Sequence, residues 1–176
     1  MLKVLDEVCK PTKGSKYSAA IDLYAREDVV IGAGETAKVP LGVCLEYDNF
    51  PIYLKNNLDK FYLQLEPRSS LRAKGLISGT GIIDIDYKDE IEIILSNPIQ
   101  YIDKVIDIDE GADYIEIDYL GSPSSREDEI KVKYSSSFKI KKGDKIAQIM
   151  LKEHKGHLLG YETETKRSGG FGSTGN

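Results

Sequence analysis

The sequence contains no tryptophan, and only two cysteines, two histidines and five arginines among its 176 residues. Cys9 and Cys44 form no Cys-x-x-Cys pair and leave no disulfide framework, which fits a reducing compartment. No base stands beside either in sequence to activate a thiolate. His154 and His157 sit in the charged segment 152–157 without a third ligand nearby, so they read as surface residues and not as a metal pair. No stretch approaches the roughly 20 apolar residues of a membrane helix. The opening MLKVLDEVCK also lacks the apolar run of a secretory signal. A cytoplasmic protein with no membrane association is expected. Basic charge is in deficit too, with a net charge of -5 and a pI of about 5.2. That balance denies the chain the broad basic face that duplex nucleic acid needs, while a small anion held by a few focused cations remains compatible.

Lysine supplies most of the positive charge, so the arginines stand out, because only arginine offers a planar fork matched to phosphate. They are Arg26, Arg68, Arg72, Arg126 and Arg167. Arg68, Arg72 and Arg167 fall within the constellations described below.

What the chain does have is a series of short apolar or alternating runs broken by Gly, Pro, Asn and Asp. They cover 29–31, 37–43, 61–65, 81–85, 91–95, 115–117, 130–134, 138–140 and 145–151, and are rich in Ile, Val and Tyr. Short β-type runs between turn signals indicate an all-β sandwich or barrel, here a jelly roll. No long segment carries helical periodicity. Segment 51–60 reads as a loop or a short helical turn. Segment 47–60 is a Tyr/Asn/Asp-rich excursion between strands. Segment 101–136 is acidic, has strand-like runs of its own and reads as an insertion. The expected organisation is a β domain over 1–166, with the insertion at 101–136, followed by a Gly-rich arm over 167–176 whose composition implies flexibility.

Four constellations carry chemistry. Glu66-Pro67-Arg68-Ser69-Ser70-Leu71-Arg72-Ala73-Lys74-Gly75 packs three cations and two hydroxyls after a strand. Such a stretch is either a phosphate cradle or a capped helix with solvated cations. In Gly79-Thr80-Gly81-Ile82-Ile83-Asp84-Ile85-Asp86-Tyr87, the glycines permit a tight hairpin with exposed backbone groups, and a carboxylate beside it is placed to activate water. On a regular strand, Asp84 and Asp86 share one face, and Ile83, Ile85 and Tyr87 the other. Gln148 interrupts the apolar run after the Lys142-Gly143-Asp144 turn. A buried amide requires partners, so Gln148 is either a structural bridge or a ligand contact. Last, the arm Arg167-Ser168-Gly169-Gly170-Phe171-Gly172-Ser173-Thr174-Gly175 joins flexible backbone to two hydroxyls, a cation and one aromatic ring, as a lid over a phosphorylated base requires.

Taken in order, these segments resemble the five motifs of the trimeric dUTPase family. Ser18-Ala19-Ala20-Ile21-Asp22-Leu23-Tyr24-Ala25 resembles the first and 67–75 the second. Segments 81–87, 143–148 and 169–175 resemble the third, fourth and fifth. The resemblance covers about 1–100 and 137–176. It implies a jelly-roll homotrimer with sites between subunits that hydrolyses dUTP to dUMP and pyrophosphate with Mg²⁺. It also implies roles for individual residues. Asp84 deprotonates the attacking water, Ser69 polarises the leaving group, and Arg68, Ser70 and Gln148 contact phosphates. The 79–83 segment, including Gly81 and Ile83, reads uracil, and Tyr87 underlies the deoxyribose. Arg167, Phe171, Gly172, Ser173 and Thr174 close over base and γ-phosphate. Asp22 supports Mg²⁺ through water, the ion being held chiefly by the phosphates.

Two departures matter. The spacing from Arg167 to Phe171 is one residue shorter than the family pattern, which bears on the reach of Arg167. The insertion before the fourth motif resembles one seen in some phage dUTPases and offers a surface for a protein partner. The related dCTP deaminases share the fold and an Arg-Ser-Ser-Leu stretch, but they use a glutamate ten residues after the third-motif aspartate. Here that position is Ile94.

Overall fold

Alternation of apolar and polar side chains, read from the sequence as strands, becomes sheet wherever one face has a core to cover. In the computed structural model, which describes residues 1–98 and 137–160, nine strands form three antiparallel groups. The first sheet runs β1 (Leu2–Val4), β4 (Thr36–Leu45), β7 (Glu90–Ser96). The second runs β2 (Ile21–Tyr24), β9 (Lys145–Glu153), β5 (Phe61–Pro67), β6 (Gly81–Asp84). The third is the pair β3 (Val29–Ile31) and β8 (Phe138–Ile140). Two short helices, α1 (Ile52–Lys55) and α2 (Ser69–Ala73), sit in the connections.

One core joins the three sheets. β4 contributes Val39, Leu41 and Val43, and β7 contributes Ile91, Ile93 and Leu95. Facing them are Leu23, Leu63, Leu65, Ile83, Ile146 and Ile149 of the second sheet, with Ile31 and Ile140 of the third. Burial of each such side chain contributes about 1.5–3 kcal/mol. Alternation is clearest on β5, where Leu63, Leu65 and Pro67 point inward and Tyr62, Gln64 and Glu66 do not. The all-β expectation holds.

The expected runs at 29–31 and 138–140 are strands with those bounds, and those at 37–43, 61–65, 91–95 and 145–151 are strands one to two residues longer at their ends. Segment 51–60 holds α1 and a 3-10 turn, Leu58–Lys60. β1 was not anticipated, being three residues long. The run 81–85 stops at Asp84, where Tyr87 N–H closes a turn on the Asp84 carbonyl at 3.0 Å. The runs 115–117 and 130–134, the insertion 101–136 and the arm 167–176 lie outside the described residues. No helix among the described residues is long and apolar enough to cross a membrane.

Candidate active site

Residues directly opposite each other in an antiparallel pair share a face. Gln148 on β9 stands opposite Asp22 on β2 and opposite Glu66 on β5. These three therefore form one row across the outer face of the second sheet. Tyr62 on β5 stands opposite Lys152 on β9 and Asp84 on β6, making a second row on the same face.

Asp22 is almost fully buried, at 7% exposure. A buried carboxylate must be paired, since isolating it costs far more than any contact returns. Its partners are Arg68 Nε at 3.5 Å, Lys145 Nζ at 3.2 Å and the Gln148 amide, which donates from Nε2 at 3.3 Å. The hydrogen bond to Asp22 raises the Lys145 pKa above its ordinary value, so the ammonium stays charged. Gln148 is thus a structural bridge. Its sequence also left open a ligand contact, and the amide faces a cavity that can serve one.

That cavity, of about 460 Å³, is lined by Gln148, Glu66, Pro67, Ser69, Arg72, Thr80 and Met150. On the other side of α2, Arg68, Ser70, Lys74, Lys139 and Lys145 line a second hollow of about 310 Å³. The short helix follows β5 directly because Leu71 is buried in the core and Arg68 N–H bonds the Ile146 carbonyl at 3.0 Å. Ser69 and Ser70 are its first two residues, and its cap, Arg68, makes no side-chain capping bond. The simple capped-helix reading therefore fails. The three cations are not all free to meet a ligand either. Arg68 is paired with Asp22, Arg72 Nη2 meets Glu66 Oε2 at 2.6 Å, and Lys74 lies over the Phe138 ring at 5.7 Å.

A third recess, about 410 Å³, is walled by Ser78, Gly79, Thr80, Gly81, Ile82 and Ile83, with Tyr87 and Ile91 behind them. The sequence implied a tight hairpin here. Instead the chain crosses from an isolated bridge between Ile77 and Ser96 to the edge of β5. Neither Gly79 nor Gly81 takes a positive φ. Gly81 is needed for proximity, because a Cβ there would sit 3.1 Å from Leu65 Cβ. Tyr87 is buried, its hydroxyl donating to the Glu90 carbonyl at 3.3 Å. Ile94, where the deaminases carry glutamate, lines the same recess.

Gly81, Ile83 and Tyr87 are therefore gathered in one recess, and Ser69 and Gln148 in another. Asp84 joins neither. It is exposed, at the far end of β6. Between Tyr62, opposite Asp84, and Glu66, opposite Gln148, lie four steps of β5, about 13 Å at roughly 3.3 Å per residue. Arg167, Phe171, Gly172, Ser173 and Thr174 lie outside the described residues.

Sequence reasoning quoted Glu66 but gave it no role. Its carboxylate accepts from Gln64 Nε2 at 2.8 Å, Thr80 Oγ1 at 2.7 Å and Arg72 Nη2 at 2.6 Å. These bonds, led by those from Gln64 and Thr80, hold its pKa below the ordinary carboxylate value. The signal available in sequence was weak: an acid six residues before an arginine, on the polar face of a strand. Cys9 is buried, and burial raises its thiol pKa. His154 packs against the Tyr62 ring at 5.9 Å. No cluster of three or more His, Cys, Asp or Glu side chains suited to a metal occurs among the described residues.

Comparison with known proteins decides the family. The dUTPase family model matches residues 6–111. This chain belongs to the dUTPase family. It is 32% identical over 175 residues to the deoxyuridine 5'-triphosphate nucleotidohydrolase of Rickettsia felis, covering 94% of this chain and 87% of the relative. Against the enzyme of the same name from Candida glabrata it is 29% identical over 171 residues, covering 94% and 88%. Among solved structures, a Staphylococcus bacteriophage 80alpha dUTPase mutant with dUpNHpp aligns with a TM-score of 0.58 and 23% identity, covering 98% of this chain and 97% of that one. At that identity the likeness concerns the fold.

Proposed function

We propose that this dUTPase-family chain hydrolyses dUTP to dUMP and pyrophosphate, in sites assembled between the subunits of a homotrimer. The observation that carries the reading is the division of the candidate residues over one sheet face. The recess of Gly81, Ile83 and Tyr87 suits a flat base and sugar, the recess of Ser69 and Gln148 suits phosphates, and Asp84 stands about 13 Å of strand from the phosphate side. Attack by a water on the α-phosphorus requires the base within hydrogen-bond reach of that water. Supply of Asp84 by a neighbouring subunit meets the requirement.

In this mechanism the ionised Asp84 carboxylate accepts a proton from water as the water oxygen bonds to the α-phosphorus. The bond from that phosphorus to the α,β-bridging oxygen breaks, and pyrophosphate leaves. The Ser69 hydroxyl donates to the bridging oxygen and Gln148 holds the phosphates on that side of α2, while Arg68 and Ser70 reach them from the hollow on its other side. Backbone groups at 79–83 read the uracil edge, and Tyr87 packs on the deoxyribose where a 2′-hydroxyl would clash. Arg167, Phe171, Gly172, Ser173 and Thr174 cover base and γ-phosphate, excluding bulk water.

Asp22 suits a supporting role toward Mg²⁺ better than direct ligation. Two cations and an amide already contact its two oxygens, at 3.2–3.5 Å, yet a carboxylate offers about four acceptor positions. One position therefore remains for a water of a phosphate-bound ion. Mg²⁺ on the triphosphate supplies charge neutralisation for the leaving pyrophosphate. In the cytoplasm the reaction limits uracil entry into DNA and supplies dUMP, and a protein partner binds through the insertion 101–136.

Turnover of dUTP by the purified chain, compared with Asp84→Asn, tests the proposal. The wild type should release dUMP and pyrophosphate, and the variant should lose about 10²–10⁴-fold in kcat while still binding dUTP. A wild-type chain that leaves dUTP intact, or a variant with normal kcat, overturns it.

A further inference from the structure

Glu66 occupies a position that the mechanism above does not use. It follows Leu65, whose side chain lies under Gly81, and it precedes Pro67 and α2. Its Oε1 receives both Thr80, the residue before Gly81, and Gln64, its same-face neighbour on β5. Its Oε2 receives Arg72, within the helix that carries Ser69 and Ser70. One carboxylate therefore ties together three segments: the wall of the base recess, the strand and the phosphate-side helix. Glu66 and Arg72 both line the cavity shared with Ser69 and Gln148.

From this geometry we infer that Glu66 is a positioning residue, holding in one chain both the phosphate-side helix α2 and the base-reading segment 79–83, which accompanies Asp84 into the neighbouring site. The inference rests on the functional reading above. Three charge-assisted bonds on one acid give it an effect on geometry that an ordinary surface pair lacks. α2 is only five residues long and has no side-chain cap bond, so the Arg72 tie is a principal restraint on its exposed side. Thr80 lies between two glycines, in a stretch of backbone with little stiffness of its own. Burial pushes the Glu66 pKa up, but the three donors outweigh it and the acid stays ionised at neutral pH.

Substitution by glutamine keeps the shape but replaces one oxygen with a donor. That donor then faces either Arg72, which cannot accept, or the Gln64 and Thr80 pair, which can rearrange. Thr80→Val removes only the base-side tie, and Arg72→Gln weakens only the helix-side one.

The test measures kcat and KM with dUTP and with dCTP for wild type, Glu66→Gln, Thr80→Val and Arg72→Gln, together with each Tm. For Glu66→Gln the expected result is a kcat for dUTP lowered about tenfold, the scale of one lost charge-assisted bond. KM and Tm should stay near wild type, and the preference for dUTP over dCTP should narrow. Thr80→Val should narrow that preference with a smaller loss of kcat, and Arg72→Gln should lower kcat with the preference intact. A Glu66→Gln enzyme with wild-type kcat and preference overturns the assignment, as does a variant altered in Tm alone. If Glu66→Gln fails to fold, Thr80→Val decides: an unchanged preference refutes the coupling. Absence of dUTP turnover in the wild type would instead refute the functional reading itself, and the inference with it.

Discussion

Asp84 and Gln148 project from the same face of one sheet yet stand four residues apart along the strand between them. Two groups that serve one phosphate ester cannot act across that gap from a single chain. If each site borrows Asp84 from a neighbour, inactive variants should rescue one another. Asp84→Asn and Ser69→Ala subunits, mixed under conditions that permit exchange, should regain turnover that neither shows alone. Activity no higher than the sum of the two separate variants would place the whole site within one chain.

The described residues that flank the insertion both meet Ile31. Asn97 donates from Nδ2 to the Ile31 carbonyl at 3.0 Å, and Phe138 stands directly opposite Ile31 in the β3–β8 pair. Asn97 and Phe138, on either side of the segment, are thus both held at Ile31. Replacing 101–136 by a short Gly-containing turn should leave kcat within about threefold and the trimer intact, because a shorter loop is easier to close. Steady-state kinetics and light scattering check this. Loss of both assembly and activity would make the segment part of the core.

Tyr87 has its hydroxyl engaged with the Glu90 carbonyl, so it is the ring that is presented to the recess. Tyr87→Ala should reduce the dUTP-to-UTP ratio of kcat/KM about tenfold or more, the usual worth of a shaped apolar wall. Tyr87→Phe should keep the ratio. Competition assays distinguish the two, and an unchanged ratio in Tyr87→Ala would remove the residue from sugar selection.

Much of this was legible in the sequence. Period-two patterning on β5 and β7 gave strands because both have a face to bury. The ordered motifs gave the family. What stayed illegible depended on contacts distant in the chain. The cations of 66–75 looked alike in sequence, yet Arg68 is held by Asp22 and Arg72 by Glu66. Gly79 and Gly81 read as a hairpin because glycine most often signals a turn. Gly81 instead answers to the close approach of Leu65, a residue sixteen positions earlier. β2, read only as a motif, is short and becomes a strand by pairing with β9.

Removal of 169–176 should lower kcat by about 10²-fold, the cost of a substrate loosely held and open to water. The motive is Phe171 among glycines, beside Ser173 and Thr174. The Tm and oligomeric state should be unchanged. Normal kcat after truncation would show that no closing arm takes part.

Water attack on the α-phosphorus of dUTP leaves an isotopic signature. Hydrolysis in water enriched in oxygen-18, followed by phosphorus NMR or mass spectrometry, locates the new oxygen. Attack at the α-phosphorus places the label in dUMP and none in pyrophosphate. Label in pyrophosphate, or release of orthophosphate with dUDP, would contradict it.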